Sequence, residues 1–168
     1  MPTVGLLSDS HGRASTTAKA VQRLIDHNVD YIIHLGDIGT IEVLDELVDW
    51  MDDDSRDVSV HVVFGNTDWD AATLARYAET LGIHVDDPVG RLSIADKTLV
   101  FQHGHREDAM QLAFAEQPDY LFHGHTHRTR DEVVGSTRII NPGALFRAAD
   151  YTVAVLDVSQ DKLTILQV

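Results

Sequence analysis

The sequence predicts an α/β protein in which two β-sheets pack face to face with helices outside. Three observations predict it. Up to Phe64, short apolar runs alternate with stretches of helical periodicity. That strand–helix–strand–helix–strand order implies parallel strands joined by right-handed crossovers. From Gly90 onward short strand-like runs dominate, with one helical stretch among them. Finally, the 168 residues contain no internal repeat, low-complexity tract or linker, so residues 1–168 are expected to form one domain.

Thr3 to Leu7 is a short apolar run ending in Ser8-Asp9-Ser10-His11-Gly12, a buried strand followed by a functional loop. Ser15 is placed to cap a helix reaching about Asn28, with Ala18, Val21, Leu24 and Ile25 on one face. Asp30 to Leu35 reads as a second strand, broken by Gly36-Asp37. Ile41 to Met51 has helical spacing again, through Ile41, Leu44, Leu47, Val48 and Met51. Val58 to Phe64 is a third strand, stopped by Gly65-Asn66. Ala71 to Leu81 can form a helix, and Gly90 to Phe101 reads as two strands with a tight turn at Asp96-Lys97. Glu107 to Gln117 is helical until Pro118 stops it. Tyr120 to His123, Glu132 to Val134, Thr137 to Ile140, Tyr151 to Asp157 and Lys162 to Val168 supply the remaining strands.

Composition removes several function classes. There is no cysteine, which excludes disulfides, thiolate catalysis and a zinc–thiolate site. Any metal must be held by histidine, carboxylate and amide. The first seven residues lack the basic start and apolar run of a signal peptide, and no stretch is long enough to span a bilayer. A cytoplasmic protein without a membrane partner is expected. Against 13 basic side chains stand 27 acidic ones, a formal charge of −14. That field repels phosphate backbones, so nucleic acid is not an expected partner. Solubility or a high-salt cytoplasm would each account for the acidity. Asp52-Asp53-Asp54 and Asp86-Asp87 read as solvated loop carboxylates, with no calcium-loop spacing.

The chemistry lies at the strand ends. Asp9 and His11 follow the first strand, Asp37 the second and Asn66 the third. His103 follows the strand at Leu99 to Phe101, and His125 and His127 follow the one at Tyr120. Ligands of open α/β sheets bind at the carboxyl ends of strands, and five strands here each deliver a metal-binding side chain there. Gly12, Gly36, Gly65, Gly104 and Gly124 lie beside them. Imidazole with carboxylate and amide oxygen suits manganese, iron, cobalt, nickel or zinc. Seven such residues are too many for one ion and suit two that share a carboxylate. Such a pair can hold a bridging hydroxide and clamp a phosphate.

Asp9-Ser-His11, Gly36-Asp37, Gly65-Asn66-Thr67-Asp68, His103-Gly-His105 and Gly124-His125-Thr126-His127 occur in the order of the calcineurin-like metallophosphoesterases. The chain most resembles their small bacterial and archaeal phosphodiesterase branch, which the turn Ile140-Asn141-Pro142-Gly143 also resembles. The resemblance implies an αββα sandwich of two mixed sheets flanked by helices. It implies two divalent ions, manganese first among the candidates, with nickel, iron, cobalt and zinc as alternatives. It implies that Asp9, His11 and His127 bind one ion and that Asn66, His103 and His125 bind the other, with Asp37 bridging. The expected activity is phosphodiester hydrolysis by a metal-bridging hydroxide, with Asp37, Asn66 and His103 in the reacting centre and His105 and Asp68 as candidate contributors. Phosphomonoesterase or cyclic-nucleotide hydrolase activity on the same site is the alternative. The expected substrate is a small phosphoester; the oligomeric state is open, with a homodimer as one candidate.

Two positions depart from the family. Many members have Gly-Asn-His-Asp, where this chain has Thr67, and a threonine hydroxyl cannot act as an acid near neutral pH. Asp68, which would support that histidine, is left without an evident partner, and His105 could stand in. Ala144 replaces a serine common after Asn-Pro-Gly. His27, His34, His61 and His84 are expected to be surface or hydrogen-bonded histidines, with His34 near enough to support the site. Arg13 and Arg147 could reach a phosphate, although surface arginines are the ordinary reading. Trp50 and Trp69 are expected to pack, Trp69 beside the pocket. The retromer subunit of this fold raises a non-catalytic scaffold as a competing class, but such scaffolds tend to lose their ligands and this chain has all seven.

Overall fold

A computed structural model describes residues 1–52 and 56–168. The side chains of Asp52-Asp53-Asp54 fall outside the described residues. In chain order the elements are β1 (Thr3–Leu7), α1 (Ala14–Asp26), β2 (Tyr31–His34), α2 (Ile41–Glu46), β3 (Ser59–Val62), α3 (Ala71–Thr80), β4 (His84–Val85), β5 (Gly90–Ile94) and β6 (Lys97–Phe101). They continue with α4 (Glu107–Ala115), β7 (Tyr120–Phe122), β8 (Thr129–Val134), β9 (Thr137–Pro142), β10 (Thr152–Asp157) and β11 (Lys162–Gln167).

Two mixed sheets result. The first has the order β11-β10-β1-β2-β3-β4, and the second β5-β6-β7-β9-β8. β1, β2, β3 and β4 run parallel, and β10 returns antiparallel along β1. β6, β7 and β9 are also parallel. The strands read as near-continuous apolar runs because both of their faces are covered. In β1, Val4 and Leu6 enter the layer between the sheets, where Ile33, Leu99, Phe101, Phe122 and Leu156 meet them. Ile32, Val60 and Val62 face the other way, onto Val21, Leu24 and Leu44 of the helices. Val100 and Leu121, one residue out of phase with Phe101 and Phe122, face Ala113 of α4. Helix, sheet, sheet, helix is the expected αββα arrangement.

Several local expectations are corrected. Helix α1 begins at Ala14, so Ser15 lies inside it and the cap position is Arg13, which has no side-chain cap bond. The Arg13 carbonyl accepts from the Thr16 and Thr17 amides and the Thr17 hydroxyl. Asn28, expected as the end of α1, takes φ +54, a conformation that terminates helices. The helix expected from Ile41 to Met51 breaks after Glu46, and Asp49–Asp52 form a 3₁₀ turn. There, Leu47, Val48 and Met51 donate to carbonyls three residues back, which tightens the coil. The β5–β6 turn centres on Ala95 and Asp96, with φ +51 and +61, one residue earlier than expected. Strand β8 starts at Thr129, not Glu132. Its Thr-Arg-Asp-Glu run is that of an exposed edge strand, where charges stand on the solvent face.

Candidate metal centre

The parallel strands place their carboxyl ends together, so the loops after β1, β2, β3, β6 and β7 meet. Backbone bonds tie these loops before any side chain does. The Asp9 amide donates to Gly36 O (3.0 Å), His11 to Asp37 O (2.8 Å) and Gly124 to His103 O (2.9 Å). Asp9 Oδ2 accepts from Ser8 Oγ at 2.6 Å and from the His125 amide, 116 residues away, at 3.1 Å. Asp9, His11, Asp37, His125 and His127 all take positive φ, between +45° and +67°. For residues other than glycine this costs roughly 1 kcal/mol or more each. The loop bonds hold that strain.

Six of the seven expected residues fall into two clusters. Asp9, His11 and His127 form one, and Asp37, His103 and His125 the other, the ligand atoms of each lying within 4.8 Å of one another. The seventh, Asn66, has Oδ1 3.2 Å from His103 Nε2. Asp37 Oδ2 is 3.4 Å from His11 Nε2 and 3.3 Å from His103 Nε2, so this carboxylate faces both clusters. Its other oxygen accepts from the Thr67 amide at 2.9 Å.

The donor set suits cations. Asp9 Oδ1 and His11 Nε2 are buried without a hydrogen-bond partner. His103 Nδ1 lies 2.7 Å from Leu35 O. A carbonyl only accepts, so Nδ1 carries the proton and Nε2 turns its lone pair toward Asn66 Oδ1 and Asp37 Oδ2. Carboxylate, amide and imidazole groups converging on one space are costly to bury unless a proton or a cation balances them. A proton on His103 Nε2 offers partial relief. Burial opposes that charge, but the hydrogen bond and charge of Asp37 raise the His103 pKa above its ordinary value. Asp37 is correspondingly held well below the usual carboxylate range, although burial pushes it upward.

A model of the calcineurin-like phosphoesterase superfamily domain matches residues 3–161. The chain belongs to that superfamily. It is 25% identical over 162 residues to phosphodiesterase MJ0936 of Methanocaldococcus jannaschii, covering 94% of this chain and 93% of that protein. The solved structure of an archaeal phosphodiesterase superposes with a TM-score of 0.85 at 24% identity, over 99% of both chains. Vps29 of Entamoeba histolytica has the same fold, with a TM-score of 0.66 at 19% identity over 99% of both chains. The expected hydrolase acting on phosphoester bonds, in a family that uses divalent metals, is borne out.

The phosphoesterase also has residues around its site whose roles the sequence did not disclose. Asp68 was expected to lack a partner. It has three: Oδ2 accepts from the Gly65 (2.8 Å) and Ile38 (3.2 Å) amides, and Oδ1 from Gly39 (2.8 Å). It is a buried clasp between the Asp37 and Asn66 loops. Asn141 Nδ2 donates to Gly124 O (2.9 Å) and Thr126 Oγ1 (3.1 Å), bracing the His125–His127 loop. The turn beyond it needs no serine at Ala144, which is fully buried. Gly143 N bonds Asn141 Oδ1, and Thr152 Oγ1 bonds Pro142 O. The sequence marks Asp68 by its place in the Gly65–Asp68 motif and Asn141 by the Asn-Pro-Gly turn.

Gly36 and Gly65 are among the positions where glycine is required. At Gly36 (φ +95) an added Cβ would stand 2.7 Å from His103 Nδ1, and at Gly65 it would stand 2.5 Å from the Asp37 amide nitrogen. His105 is exposed, its ring 5.4 Å from that of His103, above a hollow of about 210 Å³ that also includes Arg106. Trp50 packs on the core with its indole N–H on Leu47 O. Trp69 does not pack, being 90% exposed. Asp86, expected to be solvated, instead pairs with His61 Nδ1 at 2.8 Å, and Asp87 accepts from the Phe64 amide. Among the described residues no helix is long and apolar enough to cross a membrane.

Proposed function

We propose that this phosphoesterase hydrolyses phosphodiesters with two divalent ions. Asp9, His11 and His127 would hold one, Asn66, His103 and His125 would hold the other, and Asp37 would serve both. The observation that carries this reading is the position of Asp37 Oδ2, 3.4 Å and 3.3 Å from one imidazole nitrogen of each cluster. The partnerless Asp9 Oδ1 and His11 Nε2 support it. Bound there, the ions would supply charge neutralisation at the phosphoryl oxygens and a water acidic enough to yield a nucleophile near neutral pH. Manganese leads the candidates because hard carboxylate and amide oxygens share the set with imidazole, and nickel, iron, cobalt or zinc would also fit.

The remaining residues orient and exclude. Leu35 O fixes the His103 ring, and the Thr67 amide fixes Asp37. The Thr67 hydroxyl lies 3.5 Å from His11 Nδ1, where a hydroxyl can steady a ring but cannot protonate a leaving group. Burial first, and then the charges of His103 and His125, lower the His105 pKa, so His105 is neutral near pH 7 and serves as a hydrogen-bond partner. A site without a strong acid favours esters whose leaving oxygen needs no proton, such as aryl diesters. The curated relative named as a phosphodiesterase supports the diester preference.

A protein-binding scaffold, suggested by the likeness to Vps29, leaves the buried acceptors unexplained. Chelation is expected to abolish hydrolysis of bis(p-nitrophenyl) phosphate, and manganese or nickel to restore it. Asp37→Asn is expected to remove activity and weaken both ions. Chelator-resistant turnover, or near-normal turnover in Asp37→Asn, would overturn the two-metal reading.

A further inference from the structure

We infer that the His11–His127 side of the centre carries an anion clamp, made by Arg13 and Arg147 against Phe146, that binds a second phosphate group of the substrate. The inference rests on the phosphodiesterase reading above.

In this acidic chain five surface cations are neutralised by direct pairing. Arg91, Lys97, Arg106, Arg130 and Arg138 each sit on a carboxylate. Among the described residues Arg13 and Arg147, like several other surface cations, have no carboxylate within 4.0 Å. Instead their guanidinium carbons lie 4.6 Å and 5.1 Å from the centroid of one ring, Phe146. That ring is 5.0 Å from the imidazole of His11. Two like charges are thus brought against a single aromatic beside a metal-binding histidine. Each cation–π contact is worth only about 0.5–1 kcal/mol at an exposed site, so an anion between the two guanidinium groups would stabilise the pair further.

The clamp is anchored to the metal loop. Arg13 N donates to Ser10 O at 2.9 Å, and Leu145 N to Ser8 O at 3.2 Å, so both arginine segments hang from the loop that carries Asp9. Arg147 takes φ +48, the same strained conformation as the ligands. From His127 a cleft of about 570 Å³ runs past Arg128 and Arg147. Its one carboxylate, Asp150, is engaged by Gln167 Nε2 at 2.9 Å. Two divalent ions set against Asp9 and Asp37 already leave positive charge for the monoanionic phosphodiester being cleaved. The guanidinium groups are surplus to that group, and their planar forks match a further phosphate. The substrate class is therefore a phosphodiester that bears an additional phosphate a few bonds from the scissile one.

The test compares thymidine 5′-(p-nitrophenyl phosphate) with its 3′-phosphorylated counterpart, using the manganese-loaded protein. Wild type is expected to favour the second in kcat/KM by about tenfold or more, as charge-assisted bonds allow. In the Arg13→Gln/Arg147→Gln variant the preference should fall to roughly unity through KM, with partial recovery in the corresponding lysine variant. Calorimetric affinity for thymidine 3′,5′-bisphosphate over thymidine 5′-monophosphate should fall in parallel, a readout that needs no turnover. No preference in wild type, or an unchanged preference in the variant, overturns the clamp. If wild type cleaves neither ester, the diesterase reading fails and the calorimetric comparison still decides the clamp.

Discussion

A neutral imidazole at His34 joins the first two loops of the centre. Its Nδ1 accepts from the Gly36 amide at 3.2 Å, which leaves the proton on Nε2 to be donated to Ser10 Oγ at 2.7 Å. Both nitrogens are committed, and complete burial pushes the pKa from 6.5 to about 3. Unfolded chains would take up this proton below about 6.5, whereas the folded one refuses it until about 3. Between those values the unfolded state binds more protons, so the contribution is intact near pH 7 and is lost as pH falls. The loss should be on the order of 3 kcal/mol by pH 4. His34→Gln keeps hydrogen-bonding ability without titrating, so urea unfolding at pH 7 and pH 4 should show a shallower acid loss in the variant. Parallel losses would remove His34 as the cause. At this scale the ligands themselves were legible, because few chemistries call for histidine, carboxylate and amide at successive strand ends. Asp68 was not, because a carboxylate that accepts only backbone amides leaves no pattern of side-chain types. Nor was Trp69, where a large apolar residue beside the pocket reads as packing and yet stands in solvent.

At the scale of the elements, the loops after β2 and β3 are joined by one side chain. Asp68 gathers amides from both, which sets the distance between Asp37 and Asn66. Asp68→Asn retains one acceptor oxygen and turns an N–H₂ group toward donors. Losing these bonds should cost about 1–3 kcal/mol of stability. Metal affinity should drop about 10–100-fold, as for other groups that orient ligands. Metal titration followed by activity would check this, with excess manganese recovering part of the rate and circular dichroism unchanged. Unaltered metal dependence would refute the clasp. Strands β1 to β3 were legible as apolar runs ended by glycine. The break in α2 was not, because Leu47, Val48 and Met51 continue the helical spacing through a tighter coil. The two-residue β4 is shorter than any pattern can register.

For the whole molecule, the folded state alone assembles the two clusters, so a divalent ion should act as a stabilising ligand. Free manganese at a hundredfold excess over its dissociation constant adds about 2.7 kcal/mol, or roughly 5–10 °C in Tm for a domain of this size. Thermal scans with chelator and with manganese should differ by that amount, and Asp37→Asn should flatten the difference. A wild-type Tm indifferent to metal would contradict the site. The layered architecture followed from the order of runs, but sheet membership did not. β10 returns to the flank of β1, a pairing that no local pattern encodes because its partners are most of the chain apart.

The hydrogen bond from the His125 amide to Asp9 spans 116 residues and crosses from one sheet to the other. A chain that has folded only β1 to β4 therefore owns Asp9 and His11 of one cluster and Asp37 of the other, and no finished binding site. Catalytic competence becomes a late checkpoint of assembly, reached only when the second sheet has docked.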